Sequence, residues 1–110
     1  MRNSKRKKLE RKGWKVGSAA ELLGLSPEEA EYIEMKLALS RALKKQRLKH
    51  KLTQVQVAKR LNSSQSRVAK MEAGDPSVSI DLLVRSLLAL GASSKIVAKY
   101  IQSASSSHAA

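Results

Sequence analysis

The chain has 110 residues, with 22 Lys and Arg against 9 Asp and Glu for a formal net charge of +13; 42% of residues are apolar, 3% are aromatic, and Phe and Cys are absent. That length and apolar content support one domain with a modest core of Leu, Ile, Val, Ala and Met, while the lack of cysteine excludes a disulfide framework and a thiolate metal site. The charge makes a polyanion the default partner, and the longest apolar stretch, LLVRSLLAL, is broken by Arg85 and too short to span a membrane.

Residues 1–16 form a basic arm with eight Lys and Arg, one Glu and no helical stripe of apolar residues, so the arm is expected to be flexible. No apolar segment of the kind a secretory signal needs follows it, and a cytoplasmic location is expected. A short helix is predicted over 18–24, opened by a capping box of Ser18 and Glu21 and ended by Gly24. Ser26, Pro27 and Glu29 predict a second start, with Pro at the first helical position and another capping box. This longer helix should run to about residue 49. It presents Ile33, Leu37, Ser40, Leu43 and Arg47 on one face and Met35, Leu39 and Ala42 on an adjacent one, which implies contacts on two sides.

Residues 53–74, TQVQVAKRLNSSQSRVAKMEAG, carry two short helical patterns joined by a tight turn. Thr53 as N-cap and Gln56 three residues on make a capping box, so a helix starts at Gln54. Val57, Ala58 and Leu61 share its inner face, and the small Ala58 lets a second helix cross closely. Asn62 stops it, because Asn tolerates the left-handed conformation. Ser64 caps the next helix, which turns Val68 and Met71 inward and Gln65, Ser66, Arg67 and Lys70 outward before ending at Gly74. This is the layout by which a helix-turn-helix presents a reading helix to DNA.

Asp75, Pro76 and Ser77 then make a loop. Ser79 caps a helix over 80–90 ended by Gly91, whose Leu82, Leu83, Leu87 and Leu90 close the core. Residues 94–102, SKIVAKYIQ, fit a helix with Ile96, Val97, Tyr100 and Ile101 on one face, although the same residues are good strand formers; helix is the preferred reading. The tail, residues 103–110, has nothing to bury and is expected to be disordered. The fold class is therefore all-α: a compact domain of five to six helices over 17–102, including an N-terminal helical extension, between the basic arm and the tail.

The TQxxxA pattern, the SSQSRV turn and helix start, and MEAG together resemble the xenobiotic-response-element (XRE) family of helix-turn-helix regulators, which includes the lambdoid phage repressors. The resemblance implies a lambda-repressor-like unit over about residues 36–91. It also implies an ion pair between Arg47 and Glu72 that locks the long helix to the reading helix. In the phage repressors the Gln of TQ braces the first residue of the reading helix and touches the DNA backbone; Gln54 and Gln65 stand at the matching positions. One departure follows Gly74, where some members place basic residues against phosphates and this chain has Asp75.

The chemistry of the outward residues points the same way. Gln pairs bidentately with adenine, Lys and Arg donate to guanine, and a small Ser admits close approach to a base or phosphate. Gln65, Ser66, Lys70 and Arg67 are thus the base-reading candidates, and Gln54, Thr53, Lys51 and Ser64 the candidates for the DNA backbone, where a helix N-terminus favours negative charge. Charge is segregated to match: residues 35–71 contain eleven Lys and Arg and no Asp or Glu, whereas Glu28, Glu29, Glu31 and Glu34 gather just before. The plainer alternative for any of these residues is an idle, solvated side chain.

One such motif touches few base pairs, so a two-fold dimer reading half-sites about 34 Å apart is expected. Its surface is sought first at Ile96, Val97, Tyr100 and Ile101, and second at Trp14, Leu22, Leu23 and Leu25. The stretch AAELLGLSPEEAEYIEMKLAL is also similar to the leader of HigA-like antitoxins, short repressors of their own operon that neutralise a toxin. That resemblance implies a basic toxin docked on Glu28, Glu29, Glu31 and Glu34; alternatively these carboxylates merely favour the helix N-terminus. The expected function is a sequence-specific regulator of a double-stranded DNA operator, a repressor acting as a homodimer at the bacterial nucleoid. Its alternatives are an antitoxin whose main role is neutralisation, or a non-specific nucleic-acid binder. RNA recognition lacks the usual stacking aromatics. An enzyme, a metal or another cofactor is not expected, since neither His50 nor His108 has the partners that metal or general-base work needs.

Overall fold

A computed structural model describes residues 22–109, with side chains described as far as residue 104. The basic arm, Trp14, and the box of Ser18 and Glu21 lie outside the described residues. Five helices follow in order: α1 (Pro27–Lys49), α2 (Gln54–Arg60), α3 (Gln65–Ala73), α4 (Ile80–Ala89) and α5 (Ser94–Ala109), with no strand among the described residues.

Local chemistry sets most of the boundaries. At the start of α1 the Ser26 hydroxyl accepts from the Glu29 amide at 3.1 Å, and the Glu29 carboxylate accepts from the Ser26 amide at 2.9 Å. The hydrogen bond from the Ser26 backbone also holds the Glu29 carboxyl below its ordinary pKa. Thr53 and Gln56 repeat the box at α2, with bonds of 3.1 and 2.8 Å. Between α2 and α3 the chain turns through Asn62 at φ 57, and α3 ends on Gly74 at φ 74. The left-handed backbone at Gly74 favours glycine, and a Cβ there would stand 2.8 Å from Leu37 Cδ2 and displace that methyl.

The core is one cluster in which Leu39 and Leu43 of α1, Val57 of α2, Val68 and Met71 of α3, and Leu83 and Leu87 of α4 are fully buried. Helix α1 is the central post: it contacts α3, α4 and α5, while α2 packs on α3 and α4 touches α5. Its burial is continuous only in the second half, where Ala38 and Ala42 admit close neighbours. Ile33, expected on a buried face, is 40% exposed and Tyr32 is 50% exposed, because the other four helices gather around the later turns. One polar contact bridges α4 and α3 inside the core, from Ser86 Oγ to Met71 Sδ at 3.6 Å. Ser40 Oγ, also buried, has no hydrogen-bond partner among the described residues.

Helix α5 packs along the second half of α1. The helix runs on through residues 103–109: Ala104 is 2% exposed and extends the stripe of Val97, Tyr100 and Ile101 by one more turn. Ser103 Oγ donates to the Tyr100 carbonyl at 2.7 Å. Val97 belongs to the core, and Ile96, Tyr100 and Ile101 pack against it while staying partly exposed.

Candidate nucleic-acid interface

Helix α3 is held by its buried face and displays the rest. At about 100° per residue, Ser66, Ala69, Lys70 and Ala73 lie opposite Val68 and Met71, with Gln65 and Arg67 on opposite flanks. Gln65 turns toward α2. Arg67 turns toward α4 and the loop after α3, lining the cleft there. Gln65, Ser66, Arg67 and Lys70 are all exposed. Ser64 is engaged as the cap, its hydroxyl accepting from the Arg67 amide at 3.2 Å and standing 3.3 Å from Ser66 Oγ.

The α2 flank is fixed by a chain of hydrogen bonds that starts in the interior. Arg47 donates from Nε to Glu72 Oε2 at 2.6 Å, from Nη2 to Glu72 Oε1 at 3.1 Å and from Nη1 to the Leu52 carbonyl at 3.0 Å. The pair is largely buried, with 12% of the Arg47 side chain and 5% of the Glu72 side chain exposed. The hydrogen bond to Glu72 raises the Arg47 pKa above its ordinary value, so the guanidinium stays charged. Gln54 Nε2 donates to Glu72 Oε1 at 3.2 Å, and Gln65 Nε2 donates to Gln54 Oε1 at 2.7 Å. An ionised carboxylate only accepts. Glu72 therefore dictates the order of both amides, and Gln65 is left with its carbonyl and one N–H uncommitted.

Lys51 and Thr53 lie exposed at the entry to α2, in a turn where Lys51 takes a left-handed φ of 56 and its amide donates to the Leu48 carbonyl at 3.0 Å. Gln54, by contrast, is partly buried and has both ends of its amide committed.

Beyond α3, the Asp75 carboxylate accepts from Ser77 Oγ at 2.6 Å and from the Ser77 amide at 2.9 Å. These bonds, with attraction from Lys70 and Lys36, hold it below the ordinary carboxylate range. Lys36 Nζ donates to the Pro76 carbonyl at 2.9 Å and ties the loop to α1. That tether has no signal in the sequence, because Lys36 looks like any other member of a basic run.

Five helices built around a capped two-helix unit, with a basic outer surface, define a helix-turn-helix protein of the DNA-binding class. A family model for the helix-turn-helix matches residues 43–95, from the second half of α1 to the first turn of α5. The chain carries a helix-turn-helix domain of the XRE, lambda-repressor-like family, which is a DNA-binding regulatory domain. Neither the curated proteins nor the solved structures give a match to the chain. Among the described residues, no helix is long and apolar enough to cross a membrane.

Proposed function

We propose that the protein is a sequence-specific repressor that occupies a double-stranded operator as a homodimer, reading bases with Gln65, Ser66 and Lys70. The observation that carries this reading is the ordered chain from Arg47 through Glu72 and Gln54 to Gln65. It leaves Gln65 one acceptor and one donor in a single amide plane, the pair that an adenine edge in the major groove matches. Lys70, one turn and a half along, can donate to guanine. Lys51 and Thr53 flank the α2 side and take phosphates there, with the start of α3 contributing its amides. The surface joining two copies is expected on the N-terminal side, where Leu22, Leu23, Tyr32 and Ile33 are exposed.

The test is binding to a duplex from the chain's own upstream region and to a scrambled duplex, titrated across salt, for the native protein and for Gln65→Ala combined with Lys70→Ala. A preference of about 10³ or more at physiological salt, collapsing in the double variant, is expected. Equal and steeply salt-dependent binding to both duplexes would overturn the reading.

A second reading adds a protein partner. Tyr32 and Ile33 are exposed beside Glu28 and Glu29 at the start of α1, a mixed apolar and acidic surface suited to a basic toxin. Purification from the native host should then bring a stoichiometric basic protein with it; a chain that purifies alone counts against an antitoxin role.

A further inference from the structure

Five arginines occur among the described residues, and three of them, Arg60, Arg67 and Arg85, line one groove of about 430 Å³ between the α2–α3 turn and α4. The other two are already engaged: Arg47 by Glu72, and Arg41 at 3.8 Å from Glu34. Arg60 and Arg67 have no ion pair among the described residues, and Arg85 meets Asp81 through Nε, at 3.2 Å and in full view of solvent. A second groove of about 350 Å³ carries Ser64, Lys70 and Ser77 and shares Arg67 and Leu82 with the first. Arg67 and Leu82 border both, so the two grooves lie side by side as one trench-like surface from the start of α3 back along α4.

A helix lying in the major groove has a phosphate strand on each side. In the DNA-binding reading above, Lys51 and Thr53 take the strand on the α2 side, and the trench lies on the other side of α3. The loop that borders the trench offers no cation of its own, since Asp75 stands where a basic residue would serve and is held by Ser77. We propose that the trench seats a phosphodiester strand, with Arg60, Arg67 and Arg85 as the phosphate-binding residues that replace the missing basic loop. A guanidinium fork matches two phosphate oxygens, which a lysine ammonium does not. The inference rests on the DNA-binding reading above and extends its footprint to side chains on α2 and α4.

The test needs no operator. Binding of the full chain to a short duplex of arbitrary sequence is measured as a function of salt for the native protein, for Arg60→Gln with Arg85→Gln, and for Lys95→Gln with Lys99→Gln, which removes equal charge from α5. Each phosphate contact contributes about 0.9 to the slope of log affinity against log salt. The arginine variant should therefore lose roughly 2 from the slope with an unchanged melting temperature, and the lysine variant much less. Equal changes in the two variants would reduce the arginines to general charge and overturn the proposal, as would an arginine variant that binds like the native chain. A native protein that binds no duplex at all would instead bring down the DNA-binding reading itself, and the trench with it.

Discussion

The two flanks of helix α3 are built on opposite plans. Toward α2, Gln65 ends a hydrogen-bonded chain anchored on a largely buried ion pair, which fixes the orientation of both amides along it. Toward α4, Arg67 borders an open trench with no ion pair of its own among the described residues. The contrast separates two tasks that DNA recognition imposes. Reading a base edge needs an amide held in one orientation, because the wrong orientation presents donor to donor. Holding a phosphate needs charge and reach, and a mobile, solvated cation supplies both. The same short helix is therefore hydrogen-bonded on the flank suited to sequence and open on the flank suited to charge.

Removing the anchor should show the largest effect. Arg47→Ala leaves the Glu72 carboxyl without its guanidinium partner in a site where 5% of its side chain reaches solvent, and it strips the Leu52 carbonyl of its donor. A loss of about 3 to 5 kcal/mol in urea unfolding is expected. An unchanged midpoint would mean that the α2 flank does not depend on its buried pair.

Gln54→Ala acts further along the chain and should cost less, about 0.5 to 1.5 kcal/mol, since Arg47 still holds Glu72. Its sharper consequence falls on recognition. With Gln54 gone, no hydrogen bond among the described residues fixes the Gln65 amide, and if Gln65 reads a base as proposed, discrimination at that base should fall while salt dependence stays the same. On the opposite flank, Arg67→Ala is expected to change stability by no more than about 0.5 kcal/mol and yet to weaken duplex binding for all sequences alike. If Arg67→Ala unfolded the protein as Arg47→Ala does, or if Gln54→Ala weakened all duplexes equally, the division of labour between the flanks would fail.

Much of this architecture was legible in the sequence because its signals are local. Ser26 with Glu29, Thr53 with Gln56, Ser64 and Ser79 each cap a helix within three residues, so spacing alone sets α1 to α4 to within a residue or so of where they start and end. The expected pairing of Arg47 with Glu72 came from resemblance to the XRE family, since nothing near either residue in the chain points to the other. What stayed hidden depends on how helices dock. Arg60 and Arg85 meet across a groove only because α2 and α4 approach, and in the sequence Arg85 registers merely as a break in an apolar stretch. The fate of Ile96, Tyr100 and Ile101 is of the same kind: an apolar face announces burial but not whether its cover is this chain or a second copy. The serine-rich segment after residue 102 conceals one buried alanine, and that single residue carries the stripe of α5 another turn.

The smallest effect should come from acid, and it bears on the loop at the open flank. Asp75 is ionised and accepts two bonds from Ser77, which holds its carboxyl below the ordinary range. A carboxyl whose pKa is lower in the folded state than in the unfolded chain adds stability that is complete above the unfolded value, near 3.9, and is lost as pH falls through the folded one. At neutral pH the loop should therefore be insensitive to pH, and it should loosen only below the usual aspartate range. The Ser77 amide resonance should titrate with a midpoint lower than that of an unperturbed aspartate, and the transition should vanish in Asp75→Asn. Because the group is only partly buried and Lys36 holds the Pro76 carbonyl independently, global unfolding should hardly move across the same interval. A Ser77 resonance that titrates at the ordinary aspartate value would show that these bonds do not order the loop in solution. The border of the trench would then be set by Lys36 and by buried Val78, whose amide donates to the Asp75 carbonyl at 3.0 Å whatever the charge on the side chain.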